Sequence, residues 1–573
     1  MKKIIFIILI VLVFIIIFAK ISQHNVLNDD LIIAAVTMKG KNKIIGDDML
    51  SGIQMYINSF NRKGGINGRK IVLNTYDDSG DIKKAINVAM NISKDNKTLL
   101  VLGHYFSSTS FAAGKVYMKS KIPAITGSAT AENVTQKNDW YFSISPNNHF
   151  QGEYIASYIR SSLKYKNCCI IYETDNYGSS LYKNFTNKAR RIGLNINKVW
   201  AIDSKNPDMK NQMISAQKYF KVEKDSEIIF LATHARLGAD IIKALKHPKS
   251  KYKFIGADSF STNAFIDHLS SFANEKKTPG YYSNGIYTTS PFLADFTNDR
   301  NQKFVSEYMK LFQKKPTWIS ACYYDATHMA VKALKKLKKT NIRHLRRTIR
   351  KELASHFSLE TSEKGVCGPL FFDEDRNVKF PLRFCSYKNQ HLVSDYFQYN
   401  IISQSKDTAK EFKKILSHDL IASGNNLMNK TRIVFTGISV NKITNLNINK
   451  GTYDMDFLLW FRFKGNFDDK NFECLNAVYP LKNKKQIAEY KDNDIKTRVY
   501  HLKGSFVSDI DLQTYPFEVH DLSIQIRHLK DNVDKLVYIS ENTKISYLNH
   551  LLNLNHKAYI RSMPEWSVKY LFV

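Results

Sequence analysis

Hydroxyl side chains gather in two short stretches of this 573-residue chain. Gly103-His104-Tyr105-Phe106-Ser107-Ser108-Thr109-Ser110 follows an apolar run ending at Leu102, and Ile125-Thr126-Gly127-Ser128-Ala129-Thr130-Ala131-Glu132 follows Ile122–Ile125. A Ser/Thr-rich loop that opens a helix offers hydroxyls and unpaired backbone N–H groups to an anion. The same residue types also serve as plain helix N-caps. Three further loops carry other chemistry. Glu173-Thr174-Asp175-Asn176-Tyr177-Gly178 brings an aromatic hydroxyl, Leu231-Ala232-Thr233-His234-Ala235-Arg236 an imidazole, and Ile255-Gly256-Ala257-Asp258-Ser259 a carboxylate. Taken singly, Tyr177 fits a turn before a helix and Asp258 an N-cap. The motifs HExxH, GxSxG, the P-loop and GxGxxG after a strand are missing. Ser161-Ser162-Leu163-Lys164 matches SxxK but lies in a helical run without companion motifs, so it is assigned to the surface. No catalytic residue, metal site or cofactor is expected.

The elements that must position these loops alternate between strand and helix from Leu31 to about Asn400. Apolar runs at Leu31–Val36, Leu99–Leu102, Ala124–Ile125, Cys168–Tyr172, Ile228–Leu231 and Phe254–Ile255 are separated by amphipathic stretches such as Tyr154–Leu163 and Ala239–Leu245. This is the pattern of parallel sheets covered by helices. Gly46 to Asp81 is the most specific piece, GDDMLSGIQMYINSFNRKGGINGRKIVLNTYDDSGD. Met49, Ile53, Tyr56 and Ile57 share a helical face. Gly64-Gly65-Ile66-Asn67-Gly68 then stops the helix, and Ile71-Val72-Leu73 starts a strand.

That wording, with the two hydroxyl loops, resembles the leucine/isoleucine/valine-binding family, the type I periplasmic binding proteins. The resemblance implies a two-lobed fold over residues 31–402, with lobe 1 about 31–146 and 283–362 and lobe 2 about 147–282 and 363–402. Crossings are expected near Ser145, Tyr282 and Ser362. It also implies roles. Ser107 and Thr130 would bind an α-carboxylate, Ser128 would offer its carbonyl to the ammonium, Tyr177 would close over the ligand, and Asp258 would pair with the ammonium. His234 stands near where relatives carry a tyrosine, and Thr37-Met38-Lys39-Gly40-Lys41 lacks the usual Gly-Pro wording. Together the residues suit an α-amino acid or close analogue, without fixing a branched side chain.

Composition sets the outer bounds. Apolar content of 43% and aromatic content of 12% supply real cores, and the length calls for two or three domains. The net charge of +32 is spread along the chain without a nucleic-acid module. Its densest cluster, Leu334 to Lys351, is expected to be the wet face of one amphipathic helix. Met1-Lys2-Lys3 precedes sixteen apolar residues, Ile4–Ala19, expected to enter the membrane as an uncleaved signal-anchor with the rest extracytoplasmic. A cleaved signal is the other reading. Among the six cysteines, Cys367 and Cys385 each lie nine residues from Arg376, and a hairpin centred there would pair them in a disulfide.

Residues 403–430 are expected to be a linker. Beyond them the texture changes, with Tyr453, Met455, Phe457, Leu459, Phe461 and Phe463 alternating at period two. Further strands are expected at Thr497–Leu502, Leu522–Ile526, Lys535–Ile539 and Trp566–Val573, giving an antiparallel β-sandwich over 431–573. Tyr515-Pro516-Phe517-Glu518-Val519-His520 and the Glu565-Trp566 run resemble the extracellular domain of pentameric ligand-gated ion channels, missing the closing strand and membrane helices. The expectation is an α/β two-lobed receptor followed by a β-sandwich. It would capture an amino acid for an ABC permease or for sensing; the alternative is part of a channel-type homo-oligomer.

Overall fold

Leu31–Thr37 (β1) is buried on both faces because helices cover both sides of its sheet, which is why the run is almost uninterruptedly apolar. The computed structural model describes residues 30–540 except 205, 207–208, 223–226, 248–249, 297–298, 339–340, 403–413, 416, 418, 425 and 509–521. The chain divides into two compact units, one reaching Val393 and including residues 422–425, the other formed by Ser394–Ile421 and the chain from Asn426 onward.

In the first unit, β1 lies between Ile71–Asp77 (β2) and Leu100–Leu102 (β3), followed by Ala124–Thr126 (β4) and Tyr141–Ser143 (β5), all parallel. A second sheet has the order β7-β6-β8-β9-β10 over Asn195–Ile202 (β7), Asn167–Glu173 (β6), Ile228–Ala232 (β8), Lys253–Gly256 (β9) and Ile286–Ser290 (β10). Two short strands, Glu363–Lys364 (β11) and Pro369–Leu370 (β12), pair with each other. Arg383–Lys388 (β13) then joins the second sheet antiparallel to β10, with His391–Ser394 (β14) beyond it. These are two α/β lobes.

The lobe boundaries differ from the sequence reading at two places. Ile286–Ser290 pairs with β9, so the second crossing lies beyond Ser290 and not near Tyr282. The third lies beyond Val378 and not near Ser362, because backbone bonds from Ser143 to Arg376 and from Val378 to Ser143 tie that segment to the first sheet. The same path explains the cysteines. A local turn brings Phe372 opposite Val378, but the chain then leaves for β13. Cys385 pairs in register with Thr288, and Cys367 lies instead against Cys322, with no Cys367–Cys385 bridge.

Helix Lys43–Arg62 ends in the expected turn, where Gly64, Gly65 and Gly68 all have positive φ. Asn61 fastens the following strand by bonding both the N–H and the carbonyl of Ile71. Midway, Gly52 lets this helix touch helix Trp318–Leu334: a Cβ there would stand 2.1 Å from the Ser320 carbonyl oxygen. The basic run 334–351 is not one helix. Leu334 ends one, and Asn341 caps the next, Ile342–Ser355. Arg346 is buried and bonds the Thr98 carbonyl, while Arg343, Arg347 and Lys351 face solvent.

The second unit is mainly one long antiparallel sheet. Its path runs Phe397–Ile402 (β15), Asn426–Asn447 (β17), Thr452–Lys464 (β18), Ile495–Val507 (β21) and Lys485–Asp492 (β20). Leu420–Ser423 (β16) and, in parallel, Leu536–Ser540 (β23) pair with β17. A ribbon of Phe472–Cys474 (β19) and Ile526–His528 (β22) shares the core, with Phe472 edge-on to Phe461 at 5.1 Å. The strand expected at Leu522–Ile526 is therefore displaced to Ile526–His528, and strands occupy part of the expected linker. Domain 31–402 is also shortened, since β15 pairs with β17. On the open face of β18, Asp456 binds His501 and Lys503, which hold its carboxyl down at about 2 against the opposing effect of burial.

Among the described residues no helix is long and apolar enough to cross a membrane. Ile4–Ala19, Tyr515–His520 and Glu565–Val573 lie outside them. Gly52→Val should destabilise the first unit by about 1–3 kcal/mol through overpacking at the helix crossing. Urea unfolding monitored by tryptophan fluorescence reads the shift, and an unmoved midpoint would contradict that contact.

Candidate functional site

Parallel strands deliver their loops to one end of a sheet, so residues from different βα turns converge there. In the first lobe, the turn after β3 starts helix Ser107–Ser120 and the turn after β4 carries Ser128. In the second, the turns after β6, β8 and β9 carry Tyr177, His234 and Asp258. These five sequence-chosen residues line one small cavity that is partly open to solvent. Thr130 does not line it. It is buried nearby in the chain, its hydroxyl has no hydrogen-bond partner, and its carbonyl accepts from Asn148 N–H.

Four lining residues escaped the sequence reading: Tyr105, Phe106, Ser259 and Trp318. Tyr105 and Phe106 sit inside the hydroxyl loop 103–110, between the apolar strand and the serines. Ser259 adjoins Asp258. Trp318 begins a helix far along the chain, and its one local signal is Thr317, whose side chain caps that helix at Ser320 N–H.

Each polar group has a defined partner. The Ser107 hydroxyl accepts from Ala131 N–H at 3.2 Å. Ser128 donates to the Tyr105 carbonyl at 3.0 Å and shares a bond with the Tyr323 hydroxyl at 3.1 Å. Tyr177 donates to the Asp258 carboxylate at 2.5 Å, and Asp258 N–H donates to Gln151 at 2.9 Å. Burial pushes the Asp258 carboxyl above the usual range, against the pull of Tyr177, Gln151 and His234. Burial pushes the Tyr177 phenol up as well, and the Asp258 charge adds to it.

His234 is the cationic wall. Its Nε2 bonds Asp175 at 2.8 Å, its ring stacks on Tyr177 at 4.8 Å, and Phe106 meets it edge-on at 4.8 Å. Burial alone would lower the imidazole; Asp175, helped by Glu173 and Asp258, overrides it and holds it at about 9. Asp175 is lowered in turn, because His234 and the Gly178 N–H outweigh its burial. The ring is therefore an imidazolium at neutral pH.

Contacts across the cleft bring the lobes together. Glu132 of the first lobe accepts from Ser180 at 2.5 Å and from Asn184 at 2.6 Å, both in the second. Asn263 reaches Asp48 at 3.2 Å, Arg236 reaches the Lys41 carbonyl at 2.7 Å, and the Trp318 indole N–H reaches the Asp258 carbonyl at 3.1 Å. Asp48 is itself buried and paired with Lys314 at 2.6 Å. Among the described residues no cluster of three His, Cys, Asp or Glu could hold a metal. The arrangement offers hydroxyl donors on one wall, a desolvated carboxylate on the other, and aromatic faces between. That suits recognition of a small zwitterion and lacks a nucleophile–base pair.

Residues 33–391 match a family model described as periplasmic binding protein. The leucine-specific-binding protein of Salmonella typhimurium is 26% identical over 359 residues, 62% of this chain and 90% of the relative. The Leu/Ile/Val/Thr-binding protein of the same organism is 25% identical over 359 residues, 62% of this chain and 91% of the relative. Among solved structures, the branched-chain amino acid transporter substrate binding protein LivJ of Streptococcus pneumoniae, in complex with isoleucine, matches with a TM-score of 0.55 at 22% identity, covering 64% of this chain and 98% of its own. A solute binding protein of R. palustris, in complex with benzoate, matches with a TM-score of 0.54 at 16% identity, covering 64% of this chain and 95% of its own. At these identities the structural matches speak to fold alone.

A histidine held at about 9 against an unfolded value of 6.5 stabilises the fold fully below the lower value, and that contribution is lost as pH rises through the higher one. At about 1.36 kcal/mol per unit, the contribution is on the order of 3 kcal/mol. Chemical unfolding of the wild type should thus weaken between pH 7 and 10, and His234→Gln should show a flatter profile. Parallel profiles for the two proteins would contradict the charged pair.

Proposed function

Because the chain belongs to the periplasmic binding protein family, we propose that residues 31–393 form an extracytoplasmic receptor that closes its two lobes on an α-amino acid or a close analogue. The family binds its ligands without converting them, and the chain is a binding protein and not an enzyme. Supply of the ligand to an ABC permease is the first expectation from relatives named for leucine, isoleucine and valine binding; sensing is the second. The apolar run Ile4–Ala19 would hold the receptor at the membrane.

The observation that carries this reading is the desolvated Asp258 carboxylate opposite the hydroxyls of Ser107 and Ser128 in one cavity. A carboxylate raised by burial is relieved by a cation, and the ligand ammonium is that cation. Ser107, at a helix start, presents its hydroxyl to the ligand carboxylate, and Ser128, after a strand end, offers its carbonyl to the ammonium. Tyr177 orients Asp258 and covers the ligand. Closure is then a shift between open and closed arrangements, driven by bonds the ligand makes to both lobes.

The walls around the remaining space are Tyr105, Phe106, His234 and Trp318, with no aliphatic side chain among the lining residues. Polar and aromatic amino acids therefore belong in the screen beside branched-chain ones. Ligand at about 100 times its dissociation constant should stabilise the receptor by about 2.7 kcal/mol, visible as a thermal shift. A screen of all common amino acids without any shift would overturn the reading. Asp258→Ala should weaken the identified ligand by about 30-fold to several thousand-fold, matching about 2–5 kcal/mol for one partner of a desolvated charge pair. Unchanged affinity by calorimetry on the folded variant would remove Asp258 from the site.

A further inference from the structure

Cys322 and Cys367 face each other with sulfurs 3.6 Å apart, 45 residues apart in sequence. Cys322 lies buried on helix Trp318–Leu334, the helix that brings Trp318 to the cavity. Cys367 lies in the tight connection between β11 and β12 and is partly exposed. The connection is pinned in place. Asp325, one turn along the same helix, accepts from Val366 N–H and Cys367 N–H, each at 2.9 Å. Gly365 N–H bonds the Gly368 carbonyl at 3.0 Å, and a Cβ at Gly365 would stand 2.6 Å from the Asp325 carboxylate. The carboxylate clamp thus holds one thiol against the other by backbone, so little movement separates contact from a covalent bond of about 2.05 Å.

The remaining cysteines are placed differently. Cys385 is buried and donates to the Thr288 carbonyl, while Cys168 and Cys169 are chain neighbours on β6. Burial pushes both the Cys322 and Cys367 thiols up, so exchange runs slowly, through the small thiolate fraction of the partly exposed Cys367.

We propose that Cys322 and Cys367 form a disulfide in an oxidising environment, stapling the cavity-lining helix to the connection that leads into the third crossing. With glutathione disulfide as oxidant, the Cys367 thiolate attacks one glutathione sulfur and releases the first glutathione. Cys322 then attacks the Cys367 sulfur of the mixed disulfide and releases the second. Two electrons pass from the pair to glutathione disulfide, and the two thiol protons end on the released glutathione thiols. Both cysteines belong to the first-lobe side, so the staple stiffens that lobe without locking the cleft. Formation in the cell rests on the extracytoplasmic reading; formation with added oxidant does not, so the two failures are separable.

The test uses the full chain, as isolated and after incubation with glutathione disulfide. Free thiols are blocked with N-ethylmaleimide in denaturant, and the protein is digested without reductant for mass mapping. The expected result in the oxidised sample is a Cys322 peptide joined to the Cys367 peptide, two hydrogens lighter than their sum, with Cys168, Cys169, Cys385 and Cys474 carrying maleimide. Cys322→Ser should leave Cys367 carrying maleimide or a single glutathione and joined to no other cysteine, and Cys367→Ser should leave Cys322 labelled. Oxidised wild type should melt at a higher temperature than the dithiothreitol-treated protein, and the double serine variant should be indifferent to the reductant. Maleimide on both cysteines after oxidation, or Cys367 joined to another cysteine, would overturn the proposal, as would a wild-type melting point indifferent to reductant.

Discussion

The buried carboxylate of Asp258 is the constraint around which the first unit is arranged. Its side chain is removed from water, and its pKa rises for that reason. A charge in that position needs strong donors. The structure supplies the Tyr177 hydroxyl at 2.5 Å and the His234 imidazolium nearby, itself neutralised by Asp175. Tyr177, His234 and Asp258 are each fixed by the end of a different strand of the second sheet, so a local change in one turn is felt by the others. The same desolvation makes the site selective in principle. A bound ammonium is worth most where no water competes with it.

Lobe contact works through the same physics. Glu132 uses both carboxylate oxygens on Ser180 and Asn184, and Trp318 of the first lobe donates to the Asp258 carbonyl of the second. These bonds join the two lobes of the first unit. Together they reward closure modestly, since bonds exchanged with water contribute about 0.5–1.5 kcal/mol each, and more where a charge takes part. Ligand contacts to both walls would add to that bias.

Much of this was legible in the sequence because the informative residues closely follow the ends of apolar strands. Ser107, Ser128, Tyr177, His234 and Asp258 all sit in turns directly after strand-like runs, and the parallel topology gathers such turns. Trp318 was not legible: it reaches the cavity from a helix whose approach depends on Gly52, a contact between distant segments. The cysteine pairing failed for a related reason. Spacing about Arg376 assumes a continuous hairpin, whereas only the turn at 372–378 forms and the flanks separate to different sheets. The basic run 334–351 has helical composition throughout, yet capping by Asn341 and burial of Arg346 break it in two. In the second unit, period-two alternation revealed β18, while the 22-residue β17 was hidden by its polar start, Asn426–Lys430.

The central claim is that the ligand's ammonium answers the buried charge of Asp258. Calorimetry with the best-binding amino acid and its des-amino analogue, the same acid with hydrogen in place of the ammonium, tests it most directly. The ligand changes while the protein does not, so folding cannot confuse the result. The account predicts that the des-amino analogue binds at least about 30-fold more weakly, corresponding to about 2 kcal/mol. Equal affinity for the two ligands would contradict it.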